Sequence, residues 1–300
     1  MGVRTIRAYV TNFDDDTVSV INTATNTVID TITVGTSPEG IAITPDGTRA
    51  YVANDFDDTV SVINTATNTV IDTITVGNAP FGIAITPNGI RAYVTNRFVD
   101  TVSVINTATN TVIDTIAVGS FPEGIAITPD GTRAYVTNDF DDTVSVINTA
   151  TNTVIDTITV GAGPTDIAIT PDGTRAYVTN RVDDTVSVIN TATNTVIDTI
   201  TVGHAPFGIA ITPDGTRAYV ANFVDNTVSV IDTTTNTVID TITVGDLPLN
   251  IAITPDGTRA YVTNSINNTV SVINTTTNTV IDTITVGSIP FGIAITPIPI

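Results

Sequence analysis

The 300-residue sequence predicts an all-β fold, a seven-bladed β-propeller of four-stranded antiparallel blades whose ring is closed by pairing of its N- and C-terminal segments. Three observations carry this expectation. The seven tyrosines, Tyr9, Tyr51, Tyr93, Tyr135, Tyr177, Tyr219 and Tyr261, recur every 42 residues, so residues 1–300 are one domain of tandem units with no space for another. Each unit holds four short runs rich in Val, Ile, Thr and Tyr, and none has a helical period. Both ends of the chain lack the same turn.

In the second unit the runs are GIAIT (40–44), RAYVAN (49–54), TVSVIN (59–64) and TVIDTITV (69–76), designated strands A to D. Their alternation is imperfect, as expected where both faces of a sheet are covered. The A–B turn, TPDGTR (44–49), places Pro45 where φ is preset for a type I turn and Gly47 where φ turns positive. NTATN (64–68) supplies small polar residues for the C–D turn. The stretch VG-xx-P (76–80) leads into the next unit. Seven such meanders arranged radially leave only short, protected edges. The aspartate of VIDTI, at Asp30, Asp72, Asp114, Asp156, Asp198, Asp240 and Asp282, falls on the outer strand, where a charge blunts edge-to-edge pairing.

Aligning Tyr9 with Tyr51 puts Val3, Arg4, Thr5 and Ile6 where PDGT (45–48) should stand, and the C-terminus reads ITPIPI without the DG pair. Residues 292–296 are therefore expected to be strand A of the blade whose other strands lie within 7–34.

The runs AYVTN, TVSVIN, VIDTI, VG and PDG together resemble the YVTN family of β-propellers, related to repeats of archaeal and bacterial surface-layer proteins. The resemblance spans essentially the whole chain. It implies a seven-bladed propeller on a secreted or cell-surface protein, and it implies no catalytic residues, because the motif records strands and turns only.

Composition narrows the function. The net charge is −20, and the ten basic residues are all arginine, which opposes nucleic acid and anionic membranes as partners. No apolar run approaches the roughly 18 residues of a membrane span, and the start MGVRTIRAYV carries no apolar signal-peptide core. Cysteine is absent, which excludes disulfides and thiolate chemistry. The sequons NNT (267–269) and NTT (274–276) are expected by chance in so Thr- and Asn-rich a chain.

The copies differ almost only in the four residues after YV[TA]N and in the segment after VG. These are the B–C and D–A loops, which a meander places at one end of every blade. The A–B and C–D turns hardly vary. Seventeen of the chain's thirty acids lie in the two variable loops, against Arg97 and Arg181 alone, and all nine phenylalanines are there as well. Variation confined to one face of a constant scaffold is what a binding surface shows. The candidate ligand-binding residues are therefore Asp14, Asp15, Asp16, Asp55, Asp57, Asp58, Asp139, Asp141, Asp142, Asp183 and Asp184, with Arg97 and Arg181. The phenylalanines of PFG (80–82, 206–208, 290–292) are expected to fill gaps between adjacent blades.

The expected role is that of a non-enzymatic binding or surface scaffold, a monomer whose acidic face meets a protein partner or a small cationic ligand. No cofactor is expected beyond weakly held calcium: NDFDDT (54–59, 138–143) clusters carboxylates but lacks the glycine and ligand spacing of a calcium loop. His204 stands alone and reads as an incidental polar residue. There is no G-x-S-x-G motif, P-loop or lysine nucleophile. The alternatives are a seven-bladed lactonase- or lyase-like enzyme, marked by one asymmetric cluster of perturbed carboxylates, and an inert structural or engineered repeat array, marked by an evenly solvated face.

Overall fold

A computed structural model describes residues 6–297. It forms seven four-stranded antiparallel sheets arranged as blades. In the second blade the strands are Pro38–Ile43, Arg49–Asn54, Thr59–Asn64 and Thr69–Thr75, matching runs A to D. No described helix is long and apolar enough to cross a membrane.

Ring closure is as expected. Pro290–Ile295 pairs antiparallel with Arg7–Asn12, in the register Ala8–Ile295, Tyr9–Ala294 and Val10–Ile293, and completes the sheet with Thr17–Asn22 and Thr27–Thr33. This makes blade 1 from both ends of the chain; blades 2 to 7 follow in order. Val3, Arg4 and Thr5, and the last three residues of ITPIPI, lie outside the described residues.

The repeated motif residues each have an identifiable task. The tyrosine is fully buried, and its hydroxyl donates across to the next blade: Tyr9 Oη lies 3.0 Å from Asn68 Oδ1 and 3.3 Å from the Thr65 carbonyl. The threonine of YVTN also joins blades, Thr11 Oγ1 donating to the Glu39 carbonyl at 2.7 Å. The asparagine ties strand B to strand C, with Asn12 Nδ2 donating to Thr17 Oγ1 and Ser19 Oγ. The glycine of VG packs on that amide: a Cβ at Gly35 would lie 2.6 Å from Asn54 Cγ. Gly47 has φ of +68° and donates its N–H to the Thr44 carbonyl, as the A–B turn requires.

Because each sheet is buried on both faces, the core consists of layers between blades. Tyr9, Val18, Val20 and Ile32 of blade 1 pack on Ala50, Val52 and Ile63 of blade 2, and equivalent layers recur around the ring. The strand D aspartate does more than charge an edge. Asp30 Oδ2 accepts from Asn68 Nδ2 at 2.9 Å, so a Tyr9–Asn68–Asp30 relay straps adjacent blades together, and Asp282 does the same with Asn26 across the closure.

Candidate functional site

All B–C and D–A loops lie at one end of the ring, around the mouth of its axial channel. Most of their aspartates are already engaged there. The third residue of a B–C loop accepts the N–H at the start of the preceding D–A loop: Asp15 from Ser288, Asp57 from Thr36, Asp141 from Ser120 and Asp183 from Ala162, all at 2.7–2.8 Å. The fourth residue accepts from the following D–A loop: Asp16 from Ser37, Asp58 from Ala79, Asp142 from Gly163 and Asp184 from Ala205. That residue is left-handed, with φ near +55° at Asp16, Asp58, Asp142 and Asp184, a conformation tolerated best by Gly, Asn and Asp. These eight candidate residues therefore shape the loops, each with one oxygen committed to a backbone N–H. Their repetition follows from that task.

The rest of the candidate set diverges from copy to copy. Asp14 is exposed at the rim, and the equivalent positions in other blades hold Phe56, Phe98, Phe140, Val182, Val224 and Ile266, each more than half exposed. Asp55, Arg97, Asp139 and Arg181 stand nearer the axis. There the strand A segments present seven residues around the mouth: Glu39, Phe81, Glu123, Thr165, Phe207, Leu249 and Phe291. The three PFG phenylalanines do not fill gaps between neighbouring blades. Phe81, Phe207 and Phe291 meet each other edge-on, with centroids 5.5–6.4 Å apart, because they converge on the axis from blades 3, 6 and 1. Beneath them is a cavity of about 110 Å³ lined by glycines and isoleucines, with Asp166 and Asn250 as its acid and amide.

One side of the mouth is strongly polar. Arg97 Nη2 donates to Glu39 Oε1 at 3.0 Å and Asp55 Oδ1 at 2.8 Å, while its guanidinium lies 4.3 Å from the Phe81 ring centroid and 5.5 Å from that of Phe121. Glu39 and Glu123 are almost fully buried. Burial pushes each carboxyl up to about 8, more than the nearby arginines offset. The Oε2 atoms of both glutamates, and Arg97 Nε, are buried without a partner. Asp139 is also raised by burial, and Arg181 approaches it only to 3.4 Å. Asp166 is pushed up to about 6 by burial, although its oxygens accept the Ile167 and Ile209 N–H groups. Among the described residues no three His, Asp or Glu side chains converge as a metal-binding group. His204 is exposed, and Asp225, bonded to its Nδ1 at 2.8 Å, holds its imidazole pKa above the usual range.

Sequence reasoning counted Glu39, Glu123 and Asp166 as charge on the face but did not single them out as binding residues. A signal was present. Glu39, Asp55 and Arg97 recur 84 residues later, two blades on, as Glu123, Asp139 and Arg181.

A family model described as YNCE-like beta-propeller matches the chain in overlapping pieces, at residues 4–88, 47–130, 90–172, 131–214 and 173–258. No curated protein sequence matches it. Among solved structures, a functionally unknown protein from Desulfotomaculum acetoxidans DSM 771 superposes with a TM-score of 0.87 at 22% identity, over 97% of this chain and 99% of that one. Kuenenia stuttgartiensis hydrazine synthase superposes at 0.83 and 24% identity, over 89% and 92% of the two chains. A candidate 6-phosphogluconolactonase from Bacteroides uniformis ATCC 8492 gives 0.83 at 18% identity, over 97% and 99%. At these identities the likeness establishes the fold.

Proposed function

The chain belongs to the YNCE-like beta-propeller family, and we propose that within this fold it is a non-enzymatic binding protein, displayed outside the cell, that receives a cationic partner at its acidic channel mouth. The observation that carries the reading is the partition of the repeats. The tyrosine, asparagine and aspartate that strap adjacent blades together recur in every copy, whereas the residues lining the mouth differ from blade to blade. Crowded carboxylates repel one another, and a cation relieves that repulsion most where burial removes water's screening.

The experiment replaces Asp14, Asp55 and Asp139 with Asn in one variant and Asp30, Asp72 and Asp114 with Asn in another. Each set removes three charges, so only position differs. A basic peptide and Ca²⁺ are then titrated into both, at low and physiological salt. The mouth set loses binding and the outer-strand set keeps it. Equal losses would reduce the effect to bulk charge, and no binding by the parent protein would leave an inert scaffold.

A second reading, an acid–base enzyme of the lactonase kind, draws on the two glutamates whose carboxyls are pushed up to about 8 in one asymmetric cluster. Electrostatics favour the first. A phosphorylated sugar lactone would approach a face whose seventeen acids are opposed by two arginines, one of them already held by Glu39 and Asp55. Turnover of 6-phosphogluconolactone that is lost in Glu123→Gln would reverse this preference.

A further inference from the structure

The two triads are the same device in two states. In the first, Arg97 is sandwiched between Phe81 and Phe121 and bridges Glu39 to Asp55, with its side chain only 14% exposed. In the second, two blades on, the positions of those aromatic walls are taken by Thr165 and Ala205. Without them Arg181 is not clamped. Its side chain is 43% exposed, its one side-chain hydrogen bond among the described residues is to Asp139, and it makes none to Glu123. Glu123 and Asp139 remain buried behind it, and Glu123 Oε2 is without a partner.

We propose that the buried pair Glu123 and Asp139, behind the loosely held Arg181, forms a recess that receives a guanidinium group, supplied by an arginine side chain of a protein partner. The inference rests on the acidic-mouth reading and names its ligand. The ligand class comes from the molecule itself, since the sister triad shows which cation this arrangement of carboxylates accommodates. Arginine's planar fork suits two carboxylates better than the compact ammonium of lysine. The rim supplies apolar ground for the residues beside it. Phe140 is exposed and stacks on Phe121 at 4.4 Å, and Val182, next to Arg181, is also exposed.

Burial chiefly holds the proton on Glu123. Asp139, Asp166 and Glu39 face it, and Asp139 and Asp166 add to that effect, while Arg97 and Arg181 oppose it. At neutral pH the carboxyl, pushed up to about 8, is protonated, so an arriving guanidinium drives the proton off to solvent. Binding is therefore accompanied by proton release, and it tightens as pH rises towards 8.

The test is calorimetric titration at pH 7, in two buffers of different ionisation enthalpy, of the peptide acetyl-Leu-Arg-Leu-amide. Its lysine and citrulline counterparts and N-acetyl-arginine amide complete the set. The arginine peptide binds with 1:1 stoichiometry and proton release, lysine binds more weakly, and neutral citrulline does not bind. Glu123→Gln weakens binding by roughly 30-fold or more and abolishes the proton release. Arg181→Ala tightens it by clearing the recess. Ala205→Phe, which restores one wall in a loop position that already accepts Phe121, weakens it by drawing Arg181 in. Thermal melts establish that each variant is folded.

If basic peptides bind but Glu123→Gln and Arg181→Ala leave affinity unchanged, the acidic-mouth reading stands and the guanidinium recess is overturned. If no basic probe binds, both fall. If the free amino-acid derivative binds as tightly as the peptide, the guanidinium recess stands and the protein partner is overturned.

Discussion

Replacing Ile293 with alanine measures ring closure directly, because Ile209 offers the same side chain in an internal blade. Ile293 is 7% exposed and packs with Ala8, Val10, Ile21, Tyr261, Val270, Val272 and Ile284. Ile209, 84 residues earlier, is 5% exposed and packs with Ala218, Val220, Ile231, Tyr177, Val186, Val188 and Ile200. The two truncations remove the same carbons from matching sites, and each costs about 2–5 kcal/mol, the range for an isoleucine emptied from a core that only partly collapses. If the terminal strand is held as firmly as an internal one, the two costs agree to within about 0.5 kcal/mol. At this chain length 1 kcal/mol moves the Tm by roughly 2 °C, so each variant melts about 4–10 °C below the parent by scanning calorimetry. A frayed closure strand would instead make Ile293→Ala behave as a surface change, within about 0.5 kcal/mol of the parent. A Tm shift for Ile293→Ala below a third of that for Ile209→Ala would refute the argument.

Three further outcomes follow from the geometry. The raised carboxyls of Glu39 and Glu123 mean that the folded protein keeps protons which the unfolded chain releases above about 4.5, so their contribution weakens as pH rises from there through about 8. Urea unfolding of Glu39→Gln/Glu123→Gln should show a flatter pH profile across that window and greater stability than the parent at pH 8. A parallel profile would contradict the assignment. Asp142→Asn should be close to silent, because Asn226 and Asn268 perform the same latch on the Leu247 and Ile289 N–H groups, whereas Asp142→Ala loses the acceptor at a left-handed position and should cost about 1–2 kcal/mol by chemical denaturation. Tyr51→Phe leaves Asn110 Oδ1 without the hydroxyl proton it accepts across the blade interface, and should cost about 1–2 kcal/mol, while Thr234→Ala, a change other blades already carry, should leave the melting curve unmoved.

The sequence alone determined whatever depends on neighbours along the chain. The 42-residue tyrosine period set the number of blades, the β-branched runs set the strands, and Pro45, Gly47 and Asn68 set the turns, because propensity and turn chemistry act over a few residues. Closure was legible too, since an A–B turn missing at both ends leaves a strand A at one end and a strand B at the other, which can complete a blade by pairing with each other. Which acids are available at the mouth was decided by the tertiary structure. Asp142 and Asp139 are three residues apart and chemically identical, yet one is tied to the Gly163 N–H while the other is buried at the axis with Arg181 at its edge. The outer-strand Asp30 became a strap only when Asn68 of the next blade came within 2.9 Å, and Phe81, Phe207 and Phe291 met only because the ring carries three distant blades to one axis. The state of each arginine was likewise set across the sequence, by whether Phe81 and Phe121 or Thr165 and Ala205 stand beside it. Burial and pairing are properties of the closed ring, and a carboxylate's chemistry depends on both.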